Sequence, residues 1–268
     1  MMTSAQQKSR STLLRGLLES RWHGPCAHGP ITSTSGWPTG IPALDHALAP
    51  AGFPQGRLIE IFGERSCGKT TVAYALLATC TAAERVCAYV DPEHGFFAPA
   101  ARRAGIALEQ IIVVRPRDPA ALRRSADALV RSGACAVVVL DGRSVSELQT
   151  HHCARLIAQA EKTGTTLVAL SRGENSALAS FATLRLWMRG LCALWQPGAD
   201  GGDRLSGYGI DVEIVKARSA AAGKCVSFAS PLSDVAGTWP LADSNDAPSA
   251  AVSAAASNVV LTAVAAGS

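Results

Sequence analysis

The stretch from Gly63 to Thr70 constrains this chain more than any other. It reads G-E-R-S-C-G-K-T, which matches the pattern G-x-x-x-x-G-K-[ST] at every fixed position. Glycines at both ends let the backbone curl so that successive N–H groups point at phosphate oxygens. Lys69 can then reach the β- and γ-phosphates, and the Thr70 hydroxyl can ligate Mg²⁺. The motif predicts a phosphate-binding loop, with an ordinary Gly-rich turn as the alternative.

The flanking residues supply the context that this motif requires. Residues 57–62 alternate like a strand, and residues 71–78 have the composition of a helix, whose N-terminus adds positive potential. We therefore predict a nucleotide-binding site. Its residues are Gly63, Glu64, Arg65, Ser66, Cys67, Gly68, Lys69, Thr70 and Thr71.

Composition sets outer limits on the fold. A chain of 268 residues, 48% of them hydrophobic, can build one sizeable α/β core with small appendages. The net charge of +4 permits a polyanionic partner without demanding one. No apolar run reaches the length of a signal peptide or a membrane span, so we expect a cytoplasmic protein.

The eight cysteines are scattered without a C-x-x-C pair, as is typical of reduced cytosolic thiols. The run His151, His152, Cys153 raises the alternative of a metal site. We disfavour it because adjacent residues on a helix are expected to point in different directions.

The two ends of the chain differ from its centre. Residues 1–36 combine a short amphipathic helix, with Leu13, Leu14, Leu17 and Leu18 on one face, and a linker rich in Gly, Pro and Ser. This helix either packs on its own domain or docks on a neighbouring subunit or partner. Residues 37–232 are predicted to form the core. Residues 233–268 are an Ala/Ser-rich tail that we expect to be disordered.

Several motifs in the core resemble RecA recombinases. Residues 39–48 and 52–63 are similar to the T-G-x-x-x-L-D-x-x-L and G-x-x-x-G-R segments that precede the phosphate loop of that family. The strand-like residues 86–91 run into Pro92, Glu93 and His94, which resemble the family's D-x-E-H. The resemblance implies that ATP is the nucleotide and that Glu93 is the catalytic carboxylate polarising the attacking water.

Residues 134–140 are continuously apolar, as expected of a strand buried on both faces, and they end in Asp141. This segment resembles the Walker B strand, whose terminal aspartate holds Mg²⁺ through its water shell. The resemblance makes Asp141 a metal-site residue together with Thr70. The alternative is an aspartate that only caps the next turn.

Residues 181–189 and 209–218 are similar to two later RecA strands. Lys216 and Arg218 match cations that reach the nucleotide of the adjacent subunit in a filament, although they could also be solvated charges at a strand end. Arg172, Arg185 and Arg189 are candidate contacts to DNA phosphates. The resemblance, which spans residues 39–228, implies an α/β fold. The implied fold is a RecA-like P-loop NTPase core, in which helices cover both faces of a mostly parallel twisted sheet.

The chain also departs from the RecA pattern. The two intervals that hold DNA-binding loops in RecA, residues 142–164 and 172–180, are short here. Ser171 and Arg172 replace the Asn-Gln pair that senses the γ-phosphate, and Phe97 and Ala100 replace the pair that holds adenine. The folded C-terminal domain of RecA is also expected to be absent. These differences weigh against strand exchange.

A RecA-like core with these departures resembles the ImuA family, accessory proteins of bacterial translesion synthesis. That family acts with the polymerase-like partner ImuB and, in some lineages, with RecA. The resemblance implies an ATP-binding accessory protein of DNA repair and SOS mutagenesis. We expect weak ATPase activity, weak binding of single-stranded DNA and self-association. The alternatives are a compact DNA-dependent ATPase or recombinase acting on its own, and a regulator unrelated to DNA.

Overall fold

Six parallel strands form the centre of the computed structural model, and two antiparallel strands extend the sheet at one edge. The structure describes residues 36–49, 52–142, 145, 148–174, 176–197, 202–217 and 222–231, together with Thr12, Leu13, Gly16, Leu17 and Ser20.

The strands are β1 Gly36–Trp37, β2 Phe53–Pro54, β3 Leu58–Phe62, β4 Cys87–Val90, β5 Ile111–Val114, β6 Val137–Asp141, β7 Thr166–Ser171, β8 Leu184–Pro197, β9 Asp203–Lys216 and β10 Cys225–Pro231. The helices are α1 Pro42–Leu48, α2 Lys69–Ala82, α3 Ala98–Arg103, α4 Pro119–Ser132 and α5 Thr150–Thr163, with a 3₁₀ turn at Leu108–Gln110.

The order of strands in the main sheet is β10-β9-β8-β3-β7-β6-β4-β5, while β1 and β2 pair separately. Strands β3 to β8 all run parallel, so their carboxyl ends meet at one edge. Ligands of open α/β sheets bind outside the carboxyl ends of the strands. The predicted loop after β3 and the predicted carboxylates after β4 and β6 therefore lie along the same edge.

Helices cover both faces of this sheet. On β6, Val137 and Val139 belong to the core beneath α1, α2 and α3, whereas Val138 and Leu140 belong to the core beneath α4 and α5. This alternation explains why the strand is continuously apolar in sequence. The predicted α/β class, with a mostly parallel sheet and helices on both faces, is confirmed.

The sequence predicts an amphipathic helix over residues 118–132 with Asp118 as its N-cap, and helix α4 begins there. Asp118 is its N-cap, and its Oδ1 accepts a hydrogen bond of 2.6 Å from the N–H of Ala121. The sequence predicts a helix over residues 144–162, whereas helix α5 begins later, at Thr150. The reason is that Val145 and Leu148 are buried in the core as anchors of a turn, and Gln149 has extended backbone.

The hairpin of β8 and β9 is longer than the sequence predicts. Each strand has 14 residues, and they pair from Arg185 with Lys216 to Pro197 with Asp203. In the outer half of β8, Leu191 and Trp195 are exposed, Trp195 by 60%, while Cys192 and Leu194 on the other face are half-buried. The hydrophobic pattern therefore underestimates its length.

At the N-terminus, the described leucines of the predicted amphipathic helix are helical and exposed, Leu13 by 63% and Leu17 by 66%. Some predictions concern positions outside the described residues, namely Leu14, Leu18, Arg218 and residues 233–268. These stay predictions, as do the boundaries of the three regions 1–36, 37–232 and 233–268. Among the helices that the structure describes, none combines the length and the apolarity needed to cross a bilayer.

Candidate nucleotide-binding site

The predicted phosphate loop connects β3 to α2, and its two glycines are required by the backbone. Gly68 caps α2 with a φ of 93°, and Gly63 has a φ of 148°. A Cβ atom at Gly63 would lie 2.7 Å from the carbonyl oxygen of Met188, and one at Gly68 would lie 3.0 Å from Ile210 Cδ1. Strands β8 and β9 therefore support the loop from behind and fix its curvature.

Lys69, the first residue of α2, folds back across the loop. Its Nζ donates hydrogen bonds to the carbonyl oxygens of Gly63, at 2.7 Å, and Glu64. No carboxylate forms an ion pair with Lys69 among the residues described. Its full positive charge is therefore available to the β- and γ-phosphates of a nucleotide.

The carboxylates at the ends of β4 and β6 lie close together. Tyr89 donates a hydrogen bond of 2.6 Å to Asp141 Oδ2. Burial raises the pKa of Asp141, and the negative charges of Asp91 and Glu93 raise it further, while the bond from Tyr89 opposes them. A bound cation would relieve this repulsion, which makes the site suitable for a metal ion.

Asp91 shapes the turn that presents Glu93, a role that the sequence analysis did not assign. Its side chain is buried and accepts hydrogen bonds from the backbone N–H groups of Gly95 (2.7 Å) and Phe96 (3.0 Å). His94 in this turn has a φ of 57°. Glu93 consequently stays accessible, with 42% of its side chain exposed. The Asp at the strand end of the D-x-E-H pattern is the signal that could have identified this role.

Arg172 lies beside the predicted catalytic carboxylate. It follows β7, and its Nη2 is 3.5 Å from Glu93 Oε2. The sequence analysis named Arg172 as a candidate DNA contact at a position equivalent to the γ-phosphate sensor. The structure thus brings this guanidinium to the nucleotide site.

Arg185 is in the interior, which argues against its prediction as a DNA contact. Its Nε donates a 2.7 Å hydrogen bond to Oε2 of the fully buried Glu60, and its Nη2 donates to the carbonyl oxygen of Glu174 at 2.7 Å. Glu60 Oε1 also accepts hydrogen bonds from Ser171, at 2.7 Å, and from Ser176. A guanidinium engaged in this way has no free edge for a phosphate. The similarity of residues 181–189 to a RecA strand gives no indication of this buried partner.

The other predicted cations have partners within the chain. Arg189 lies over the ring of Trp187, 5.0 Å from its centroid, and pairs with Glu213 at 2.9 Å on the exposed sheet surface. Lys216 donates hydrogen bonds of 3.2 Å to the carbonyl oxygens of Ala179 and Ser180. Lys216 therefore ties the end of β9 to the connection that follows β7.

Two observations bear on how ATP and Mg²⁺ would fit. Thr70 is exposed in the first turn of α2, and a hydroxyl with a carboxylate such as Asp141 is the oxygen donor set that Mg²⁺ prefers. Phe97, at the position mapped to adenine binding, is 62% exposed and its N–H donates to the Tyr74 hydroxyl at 3.2 Å. Thr70 and Asp141 therefore have the oxygen donors that suit Mg²⁺, and Phe97 has an exposed ring where RecA holds adenine.

The His-His-Cys run has a different arrangement from the one expected. The rings of His151 and His152 do not diverge, since their centroids lie 3.9 Å apart, whereas Cys153 is buried in the core. Across the described residues, no group of three or more metal-ligating side chains is present.

Comparison with known proteins matches residues 29–156 to the RecA N-terminal domain. The chain is 42% identical to protein RecA of Cutibacterium acnes over 104 residues, which are 39% of this chain and 30% of that protein. It is 32% identical to protein RecA of Salinispora arenicola over 233 residues, covering 74% of this chain and 66% of that protein. Identity to protein RecA of Desulfovibrio desulfuricans is 38% over 149 residues, 56% of this chain and 38% of that protein. The chain thus spans between about a third and two thirds of the length of these relatives.

Proposed function

Because the matched domain and relatives support a RecA-like family for this chain, we propose that it is an ATP-binding accessory protein of DNA repair. The observation that carries the nucleotide assignment is the convergence of a complete phosphate loop with Glu93 and Asp141 at one sheet edge. A loop that served only as a turn would not need two carboxylates in this position.

Each residue has a defined task in this proposal. The loop N–H groups and Lys69 bind the β- and γ-phosphates, and Glu93 accepts a proton from the attacking water. Thr70 and Asp141 would hold Mg²⁺, which would neutralise charge that develops on the phosphates. We propose that Arg172, whose Nη2 lies 3.5 Å from Glu93 Oε2, contacts the γ-phosphate. We propose weak ATP hydrolysis, because a carboxylate engaged by an arginine is a poorer base.

The connection after β7 supports an accessory role over strand exchange. Glu60, Arg185 and Ser176 hold it from inside, and Lys216 holds its far end through Ala179 and Ser180. A short connection held at both ends leaves little backbone to bind DNA. Strand exchange needs loops that stretch DNA and hold it along a filament.

The finer assignment follows the ImuA resemblance. We propose that the chain acts in the SOS response and translesion synthesis with RecA, with an ImuB-type polymerase homologue, or with both. The exposed Leu13 and Leu17 offer an apolar helix face for such a partner or for self-association. Arg189 and the basic N-terminal arm would give weak, salt-dependent contacts to single-stranded DNA. A cytoplasmic location fits the described cysteines, none of which forms a disulfide bond.

A second candidate is a compact DNA-dependent ATPase or recombinase. The intact loop and the accessible Glu93 favour it, because both are needed for turnover. Steady-state ATP hydrolysis with and without single-stranded DNA separates the two. The accessory role predicts slow hydrolysis that DNA changes little, and strong stimulation by DNA would favour the second candidate.

A further inference from the structure

The face of the sheet opposite the phosphate-loop helix carries a basic cleft between α4 and α5. The cavity has a volume of about 260 Å³ and is lined by Ala120, Arg123, Arg124, Asp127, His152, Arg155 and Leu156. One water molecule needs roughly 10–15 Å³ of such space, so the cleft has room for a small polar ligand. The nucleotide site uses none of these residues.

The charges of the cleft do not cancel. Three arginines line it with one carboxylate, Asp127. Arg155 is fixed by that carboxylate through two bonds, Nε to Oδ1 at 3.1 Å and Nη2 to Oδ2 at 2.9 Å. Arg123 and Arg124 have no acidic partner within the described part of the chain. The cleft therefore has an excess of positive charge with one guanidinium held in a fixed orientation.

His152 adds an unsatisfied polar atom to this cleft. Its Nδ1 is buried and has no hydrogen-bond partner among the described residues. A buried polar atom without a partner is costly, and a ligand oxygen in the cleft would satisfy it. The charged groups that line the cleft with His152 are Arg123, Arg124 and Asp127 from α4 and Arg155 from α5, and His151 is its titratable neighbour on α5.

From this geometry we propose that the α4–α5 cleft is a second phosphate site, separate from the loop, which binds the dianionic phosphate of a free phosphate or phosphomonoester. Arg123, Arg124 and Arg155 supply the positive charge, and His152 donates a hydrogen bond to one phosphate oxygen. A cleft closed on two sides by helices suits a single phosphate group, whereas a nucleic-acid backbone requires a row of contacts.

Calorimetric titration with inorganic phosphate tests this site. The background for every titration is the full chain with Lys69→Ala, so that phosphate binding at the loop does not contribute. Adding Arg123→Ala should weaken phosphate binding by about tenfold, since a charge-assisted hydrogen bond is lost. Arg103→Ala, an exposed arginine on α3 across the sheet, is the matched control and should leave the affinity unchanged. An Arg123→Ala variant that binds phosphate as before would overturn the proposal.

Two further titrations distinguish the ligand. Acetate should bind at least about tenfold more weakly than phosphate. The acetate monoanion has half the charge of the phosphate dianion and fewer oxygens to accept hydrogen bonds. Equal affinities would show a general carboxylate site and would contradict the phosphate assignment. A 5′-phosphorylated oligonucleotide that competes with phosphate, when its unphosphorylated form does not, would identify a terminal phosphate as the source.

The pH dependence of anion binding tests the role of His152. Burial lowers the pKa of His152, and the positive charges of His151, Arg123 and Arg155 lower it further. A bound dianion favours the imidazolium, so binding should strengthen as the pH falls through that pKa. Sulfate is the probe, because its charge is constant over this range. His152→Gln should remove the pH dependence, and an unchanged pH profile would refute the role of His152.

Discussion

Among the residues of the proposed nucleotide site, we expect Lys69 to contribute most to binding. Its Nζ spans the loop to the carbonyl oxygens of Gly63 and Glu64 and has no described acidic partner. Lys69→Ala should therefore weaken binding of ATP with Mg²⁺ by roughly one to two orders of magnitude, as measured by calorimetry. Lys162→Ala, an exposed lysine in the last turn of α5, is the control and should bind ATP normally. Unchanged affinity in Lys69→Ala would contradict the loop assignment.

Glu93 should affect turnover and leave binding intact. Glutamine keeps the shape of the side chain but cannot accept the proton of the attacking water, so Glu93→Gln should lower ATP hydrolysis roughly 10²- to 10⁴-fold. Single-turnover hydrolysis at saturating ATP measures this directly. Glu84→Gln, an exposed carboxylate after α2, is the control. If Glu93→Gln hydrolysed ATP like the wild type, another group would have to be the base.

Residue-level prediction from sequence worked where a motif fixes the backbone and was less successful where tertiary contacts decide. The loop glycines have the left-handed or otherwise unusual φ values that the motif implies. Arg185, by contrast, is indistinguishable in sequence from an exposed arginine, and only its register opposite Glu60 in the sheet shows that it is buried. Asp91 shapes the turn after β4 through backbone hydrogen bonds, a role that the aspartate of the D-x-E-H pattern could have indicated.

At the scale of elements, the pair of Glu60 on β3 and Arg185 on β8 joins the strand before the phosphate loop to the connection after β7. Arg185 is 7% exposed and Glu60 is fully buried. Glu60→Gln would leave the guanidinium buried without a counter-charge, and should lower the free energy of unfolding by about 3–5 kcal/mol in urea denaturation. Arg189→Ala, which breaks an exposed pair, should cost no more than about 1 kcal/mol.

The double variant Glu60→Leu, Arg185→Met completes this test. Replacing both charges with apolar groups of similar size removes the buried charge, so the double variant should recover a large part of the lost stability. A Glu60→Gln variant as stable as Arg189→Ala would show that the buried pair contributes no more than a surface pair.

The sequence predicted the buried elements well and their ends less well. Strand β6 has a strong signal in its continuous apolar run. Helix α4 has one in its Asp N-cap, which is followed directly by a proline. The start of helix α5 and the outer half of the β8–β9 hairpin have no comparable signal. Val145 and Leu148 are apolar at helical spacing yet anchor a turn, and the outer hairpin is held by backbone pairing, which side-chain patterns do not report.

At the scale of the whole molecule, the sheet separates the candidate nucleotide site from the basic α4–α5 cleft. The phosphate loop and Glu93 lie at the carboxyl edge, while the α4–α5 cleft lies on the face opposite α2. The connection after β7, whose counterpart in RecA holds a DNA-binding loop, is held between β3, β8 and β9 by hydrogen bonds. We propose that a molecule built in this way binds ATP and a protein partner and does not align two DNA strands.

A joint-molecule assay with ATP and Mg²⁺, run with and without added RecA, tests this account most directly. The pinned connection of residues 172–180 should prevent strand exchange by the chain alone. Added to RecA, the chain should change the rate of RecA-dependent exchange, and Lys69→Ala should reduce that effect if ATP binding controls it. Efficient joint-molecule formation by this protein without RecA would contradict the accessory role and identify it as a compact recombinase.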